Sequence, residues 1–130
     1  MGISTFDEYE PLFVTNQILV TAGNTGNPVF HNNGNAFRVD QLFLTNSSDI
    51  DVLVSLQLSP QDDGTVPLGK VNVPAGAGND PAVPPVDVFP SIIASLTGLV
   101  VGPGDELFCM FDAIADHSGY LAWICLGGKV

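Results

Sequence analysis

The feature that most constrains the fold of this 130-residue chain is a strict two-residue alternation over residues 52–59. Every even position of this stretch is valine or leucine, and its last three odd positions are serine or glutamine. Successive side chains of a β-strand point to opposite faces of a sheet, so this pattern is typical of a strand buried on one side. No stretch of the chain shows a comparable helical period.

Similar short alternations recur along the chain, and clusters of Gly, Pro, Asn and Asp separate them as turns. Regular short strands joined by turns indicate an all-β fold. We therefore predict a single antiparallel β-sandwich of jelly-roll-like type, with a closed barrel as the alternative. Ser91–Leu96 fits either a helical turn or a strand. The predicted strands are Gln17–Ala22, Phe37–Thr45, Val52–Ser59, Gly69–Val73, Leu99–Val101, Glu106–Ala113 and Tyr120–Gly127.

The alternation also assigns side chains to faces. Within Phe37–Thr45, Phe37, Val39 and Phe43 are expected on one face, and Leu42 and Leu44 on the other.

The last two predicted strands lie symmetrically about His117, which predicts an antiparallel hairpin. In that register Cys109 faces Cys125, and Phe111 faces Trp123. In a reducing cytosol the two thiols would act as small buried apolar groups.

Residues 1–16 form a predicted N-terminal arm, and residues 17–130 the sandwich domain. The arm mixes acidic residues with large apolar ones, and Pro11 disfavours an ordinary internal strand there. Such segments gain order by burying apolar groups on a partner, and the alternative is that the arm folds back on its own sandwich. The candidate interface residues are therefore Phe6, Tyr9, Leu12 and Phe13.

Charge excludes two classes of partner. The net charge is −11, and the cations are Arg38, Lys70 and Lys129 alone. Nucleic-acid binding depends on Lys and Arg that neutralise phosphates, so no nucleic acid is expected, and an anionic membrane is disfavoured for the same reason. Charged residues make up 13% of the chain, against about 25% in a typical domain, which hints that a partner covers part of the surface. No signal peptide or membrane span is predicted, so the chain is expected to stay soluble in the cytosol.

No catalytic, cofactor or metal site is predicted. Asp116, His117 and Ser118 are the residue types of a hydrolytic triad, but consecutive side chains diverge, and a turn is the preferred interpretation. His31 and His117 are not spaced as metal ligands, and the acidic residues at turns are expected to bind their own backbone in preference to calcium. Paired carboxylates on a β-sandwich leave a carbohydrate-binding or hydrolytic module as the alternative of another class.

Two stretches resemble a known group of proteins. One runs from Phe37 to Pro60, with a strand that ends in Thr-Asn-Ser-Ser followed by a second alternating strand. The other begins as Leu-Val-Val-Gly-Pro-Gly-Asp-Glu-Leu at Leu99 and leads into a final β-hairpin. Together they are similar to small β-sandwich virion proteins of tailed bacteriophages, over roughly residues 37–59 and 99–127.

The resemblance implies a non-enzymatic structural part of a virus particle, assembled in the host cytoplasm. A capsid decoration (cement) protein that binds between major capsid subunits is the leading expectation, with a neck, collar, baseplate or fibre adaptor as the alternative. The implied partners are the major capsid protein or other virion proteins, and the implied assembly is a homotrimer.

Overall fold

A computed structural model describes residues 10–26, 28–32, 34, 36–60, 64–92 and 98–129, with the backbone alone for residues 10–14 and 129. Within these ranges the chain forms short and medium strands and a single five-residue helix. The elements are β1 (Glu10–Leu19), β2 (Phe30–His31), β3 (Phe37–Asn46), β4 (Val52–Ser59), β5 (Val66–Val73), β6 (Val86–Asp87), α1 (Val88–Ile92), β7 (Leu99–Val101), β8 (Glu106–Met110) and β9 (Tyr120–Lys129).

The strands make two antiparallel sheets that pack face to face. The first sheet has the order β1-β9-β3, and both β6 and β7 pair along the outer side of β3. The second sheet has the order β2-β8-β4-β5. The predicted all-β antiparallel sandwich is confirmed. In the described part of the chain, no helix is long and apolar enough to cross a membrane.

The bounds of β3, β4 and β7 agree closely with those predicted from the alternation. The segment Ser91–Leu96, predicted as a helical turn or a strand, overlaps the end of α1. The first boundary was wrong: β1 begins at Glu10 and not at Gln17. Residues 10–16, predicted as part of the arm, pair with β9 in an unbroken register. Pro11 is compatible with this because edge strands tolerate proline.

The face assignment within β3 was also wrong, because the strand contains a β-bulge. Pairing with β9 shifts between Val39 and Gln41, which leaves Asp40 as the extra residue. A bulge reverses the alternation beyond it. Phe37 and Val39 before the bulge and Leu42 and Leu44 after it therefore all face the core, and each is at most 6% exposed.

The predicted hairpin of the last two strands does not form. β8 pairs with β4 and β2 in the second sheet, whereas β9 pairs with β1 and β3 in the first. The nine residues between Met110 and Tyr120 cross from one sheet to the other, and they exceed the two to five residues that close most hairpins. The inward face was nevertheless assigned correctly, since Leu107, Cys109, Phe111, Leu121, Trp123 and Cys125 are all buried.

Both cysteines are free and buried, one in each sheet. Burial raises the pKa of the Cys109 thiol, with a smaller contribution from the neighbouring Cys125, and burial raises the pKa of Cys125 to about 12. A thiol that stays protonated is a poor nucleophile and metal ligand. The pair therefore behaves as small apolar core groups.

Trp123 is the largest fully buried side chain of the core. Its indole Nε1–H has no hydrogen-bond partner among the described residues, which costs about 1–3 kcal/mol. Burying roughly 200 Å² of aromatic surface contributes about 5 kcal/mol and outweighs that cost. The ring is therefore held by packing alone.

A testable consequence concerns the crossing loop, which ends at Gly119. This residue has φ +124°, and a Cβ on it would lie 2.7 Å from the backbone N and Cα of Ser48. We expect Gly119→Ala to lower the free energy of unfolding by about 2 kcal/mol or more, since it combines backbone strain with a clash against backbone atoms. Gly26→Ala is the matched control, because a Cβ there meets open space, and its effect should stay within about 1 kcal/mol. Urea unfolding of both variants measures the difference, and equal effects would contradict this packing.

Candidate functional site

Three loops meet at the end of the sandwich where β3 stops and β4 starts. They are residues 46–51, 74–85 and 111–119. Backbone hydrogen bonds join them directly: Asn46 N–H donates to the Ala77 carbonyl at 2.9 Å, and Ser47 N–H to the Tyr120 carbonyl at 3.0 Å. We call this group of loops the acidic end, since it carries Asp49, Asp51, Asp80, Asp112 and Asp116 and contains no Lys or Arg.

Asn46 is the organising side chain of the acidic end, and it is fully buried. Its Nδ2 donates to the carbonyls of Ile50 at 2.7 Å and Val73 at 3.1 Å. Its Oδ1 accepts from the Ser48 backbone N–H at 3.0 Å and from the Ser48 hydroxyl at 2.6 Å. A buried amide with every donor and acceptor engaged fixes the turn and links it to β5. The Thr-Asn-Ser-Ser stretch therefore has a structural role.

His117 and Asp49 form a long-range pair across the acidic end. His117 Nδ1 lies 2.7 Å from Asp49 Oδ1, and the Asp49 side chain is 80% exposed. The hydrogen bond to His117 lowers the pKa of Asp49 below its usual value. His31 also has a carboxylate partner, with Nδ1 at 3.0 Å from Glu106 Oε2. Sequence reasoning missed both pairs, because their partners are distant along the chain and nothing local marks them.

Other turn carboxylates bind backbone, as their position in the sequence predicts. Asp51 Oδ1 accepts from Ala75 N–H at 2.9 Å, Asp80 Oδ1 from Ala82 N–H at 2.9 Å, and Asp105 Oδ2 from Gly102 N–H at 3.1 Å. These bonds make the acids part of the turn structure. Over the described ranges, no three His, Cys, Asp or Glu side chains are grouped closely enough to hold a metal ion.

The residues of the sequence-level triad do not converge as a group. Asp116 occupies the left-handed region at φ 65°, as a turn residue does. His117 pairs with Asp49 and not with either of its neighbours. The arrangement shows an oriented histidine at the surface, held by a solvated carboxylate.

An open groove lies on the outer face of the second sheet. Its volume of about 240 Å³ is below the roughly 300–1,000 Å³ typical of small-molecule sites. Lys70 and Asp112 are its charged residues. Its lining otherwise mixes amide, hydroxyl and apolar groups, namely Asn24, Thr25, Leu53, Ser55, Gln57, Met110 and Phe111. A shallow, flat surface of this kind suits a protein contact better than an enclosed ligand.

The sandwich has four sheet edges, and three of them carry structural protection. Along β3, the outer neighbours are the two-residue β6 and the three-residue β7. Beside β8, the outer strand β2 has two residues. Very short edge strands leave few backbone groups unpaired.

The third protected edge is β5. This strand contains Pro67 and Lys70, and its pairing with β4 shifts between Leu56 and Gln57. The helix α1 packs against it, so closely that a Cβ on Gly69 would lie 2.7 Å from the Ile92 side chain. Proline, lysine, a bulge and a covering helix are all known devices against edge pairing.

The fourth edge, β1, carries Pro11 next to its first residue, but from residue 12 onward it has none of these devices in the part of the chain that the structure describes. It pairs with β9 over ten residues without a register shift, and in the described part of the chain nothing pairs with its other side. Thr15, Asn16 and Gln17 are exposed, and Leu19 is 45% exposed. Residues 12–19 contain no charge, no proline and no glycine. This open edge is the candidate interface.

The predicted interface residues fall in and before this strand. The backbones of Leu12 and Phe13 lie in β1, paired with Gly127 and Leu126. Phe6 and Tyr9 lie outside the described residues. Sequence reasoning did not include residues 14–19 in the candidate interface, although they continue the open edge.

Comparisons with protein-family models, with curated proteins and with solved structures find no match for this chain.

The Asn46 network predicts a large stability loss on truncation. Asn46→Ala would leave the carbonyls of Ile50 and Val73 and the donors of Ser48 short of partners, and we expect the free energy of unfolding to fall by about 3 kcal/mol. Asn79→Ala is the control at the same end, because Asn79 is exposed and donates one bond at 3.2 Å to the Ala77 carbonyl. It should cost under about 1 kcal/mol. Denaturant titrations compare the two, and a small effect of Asn46→Ala would show that the turn holds without this amide.

The Asp49–His117 pair predicts a pH-dependent contribution to stability. The pKa of Asp49 in the folded chain lies below the unfolded value of 3.8. Ionised Asp49 therefore stabilises the fold above that value, and the contribution is lost as pH falls through the folded pKa. We expect Asp49→Asn to lower the melting temperature at neutral pH, and the difference from wild type to shrink as the pH falls below 3.8 and Asp49 becomes protonated. Asp49→Asn/His117→Asn should cost no more than either single change, whereas additive effects would contradict the pairing.

Proposed function

We propose that this chain is a non-enzymatic structural component of a tailed-bacteriophage particle. Its specific role in this proposal is capsid decoration: it binds between major capsid subunits and stabilises the shell. The observation that carries the proposal is the open edge of β1: in the described part of the chain no strand pairs with its outer side, and residues 12–19 carry none of the protection found at the other three edges. Natural proteins rarely leave such an edge exposed, since it invites pairing with other chains. An edge kept in this state is suited to assembly.

The resemblance to small virion sandwiches supports the same role. Its two stretches correspond to β3 and β4, and to β7, β8 and β9. These include the central strands of both sheets, so the similarity covers the framework of the sandwich and not its loops alone. The final hairpin expected from the resemblance is absent, because β8 and β9 lie in different sheets.

The protein has physical properties that a shell-stabilising protein needs. A molecule that binds only the assembled shell stabilises it by mass action, by about 2.7 kcal/mol per site at a hundred times its dissociation constant. It needs a rigid body and a contact surface of low charge. The satisfied Asn46 network supplies rigidity at the acidic end, and the neutral stretch of β1 supplies such a contact.

The proposal is tested by co-assembly. The chain would be expressed together with capsid, neck and tail proteins of a tailed phage whose genome encodes it, and particles would be purified by sedimentation. We expect the chain to sediment with capsids in a fixed ratio and to raise the temperature at which they break open. Deletion of residues 1–9 leaves β1 intact and should weaken particle binding at least tenfold if the arm contacts a neighbouring subunit.

The matched control is Phe6→Ser/Tyr9→Ser, which keeps the length of the arm and removes its two aromatic side chains. A chain that stays in the supernatant with every particle type would contradict the proposal. Sedimentation with tails or necks and not with capsids would overturn the decoration role alone. Glycan binding on an array, without particle binding, would favour the carbohydrate-binding alternative.

A further inference from the structure

We propose that β1 pairs antiparallel with β1 of a second copy of this chain about a two-fold axis. The two five-stranded sheets would then join into one continuous sheet of ten strands. This inference rests on the proposed assembly role and names the partner of the β1 edge. It is argued from the hydrogen-bonding pattern of the strand, its charge and the state of the other edges.

The first argument is geometric. In an antiparallel ladder, alternate residues direct both N–H and C=O to the same side, so about half of the β1 residues point their backbone groups away from β9. An antiparallel edge is complementary to an identical edge rotated by 180°, and a two-fold interface uses the same patch on both copies. The register with β9 is unbroken from Glu10 to Leu19, so no bulge interrupts a second ladder. Pro11 has no N–H to donate, so the second ladder is confined to residues 12–19.

The second argument is electrostatic. Two chains that each carry a net charge of −11 repel, and contact requires a place where few like charges meet. The one charged residue of β1 is Glu10, at its first position. Antiparallel pairing places Glu10 of each copy near the Leu19 end of the other, so the two Glu10 positions lie roughly 30 Å apart along the strands, well beyond the Debye length of about 8 Å.

Among the strand edges that the structure describes, no other one can serve as the partner of β1. Pairing β1 with a different edge of the next copy would give a ring, such as the expected trimer, or a filament. β2, β6 and β7 are two or three residues long, and β5 carries Pro67, Lys70, a bulge and α1. Because these edges are short or protected, the remaining partner for β1 is β1 of a second copy. This two-fold arrangement is complete with two copies.

The test is sedimentation equilibrium of the full chain over about 1–300 µM, since a strand-edge dimer is small in area and therefore of modest affinity. We expect a monomer–dimer equilibrium that tightens with added salt, because salt screens the repulsion between the two acidic bodies. Hydrogen exchange should show alternate β1 amides gaining protection as concentration rises.

The decisive variant is Thr15→Lys/Gln17→Lys, which places lysines at two exposed positions of β1. The control is Val66→Lys/Val100→Lys, at exposed positions on β5 and β7. Both variants change the net charge from −11 to −9, so long-range repulsion falls equally in each. We expect the β1 variant to dimerise at least tenfold more weakly than wild type, and the control to dimerise at least as well as wild type.

Several outcomes would overturn the inference. They are a wild-type monomer at all concentrations, a stable trimer, or equal effects of the two variants. A chain that dimerises only after deletion of residues 1–9 would show that its own N-terminal segment covers the edge. If wild type is monomeric but Thr15→Lys/Gln17→Lys loses particle binding, β1 accepts a strand from a virion protein, and the proposed function survives. A dimer that binds no particle leaves this inference standing and removes the phage role.

Discussion

The constraint on which this structure depends is that backbone N–H and C=O groups at a sheet edge need partners. A sandwich of two open sheets has four edges, and a closed barrel would have none. In this chain the departures from regular strand geometry lie close to edges. The bulge at Asp40 sits where β6 and β7 divide the outer side of β3, and α1, which follows β6, packs against both β3 and β5.

Buried asparagines hold the connections between these strands. Asn24 Nδ2 donates to the Cys109 carbonyl at 2.7 Å, and Asn32 Nδ2 donates to the Val101 carbonyl at 2.8 Å. Like Asn46, these two side chains donate hydrogen bonds to backbone carbonyls that would have no partner if hydrophobic packing alone surrounded them. A buried amide with good partners costs little, whereas the same amide unpartnered costs several kcal/mol, so each one permits few alternative loop conformations. The charge-poor sequence thus obtains much of its loop positioning from buried amides.

Outside the bulged strand β3, the inward-facing residues could be predicted from the sequence, and the strand partners could not. Alternation is a property of each strand alone, so Val54, Leu56, Leu107 and Trp123 could be assigned to the core. Pairing depends on where a strand ends. β8 stops at Met110, three residues before its predicted end, and the longer connection reaches the opposite sheet. The bulge at Asp40 had no local signal, because an Arg-Val-Asp-Gln stretch suits a regular strand equally well.

The predicted interface residues overlap β1, although the arm expected there is in part a strand. Pro11 was taken to disfavour an internal strand, and β1 is instead an edge strand, in which proline is tolerated. An edge strand accommodates both Pro11 and the β-strand pattern of Val14–Leu19. Such a strand is held by hydrogen bonds on one side and has unpaired backbone groups on the other. This changes the physical picture of assembly. An arm that folds on binding loses conformational entropy at that moment, whereas a strand already held by β9 has lost much of it during folding, and preorganised surfaces bind more tightly for the same contact.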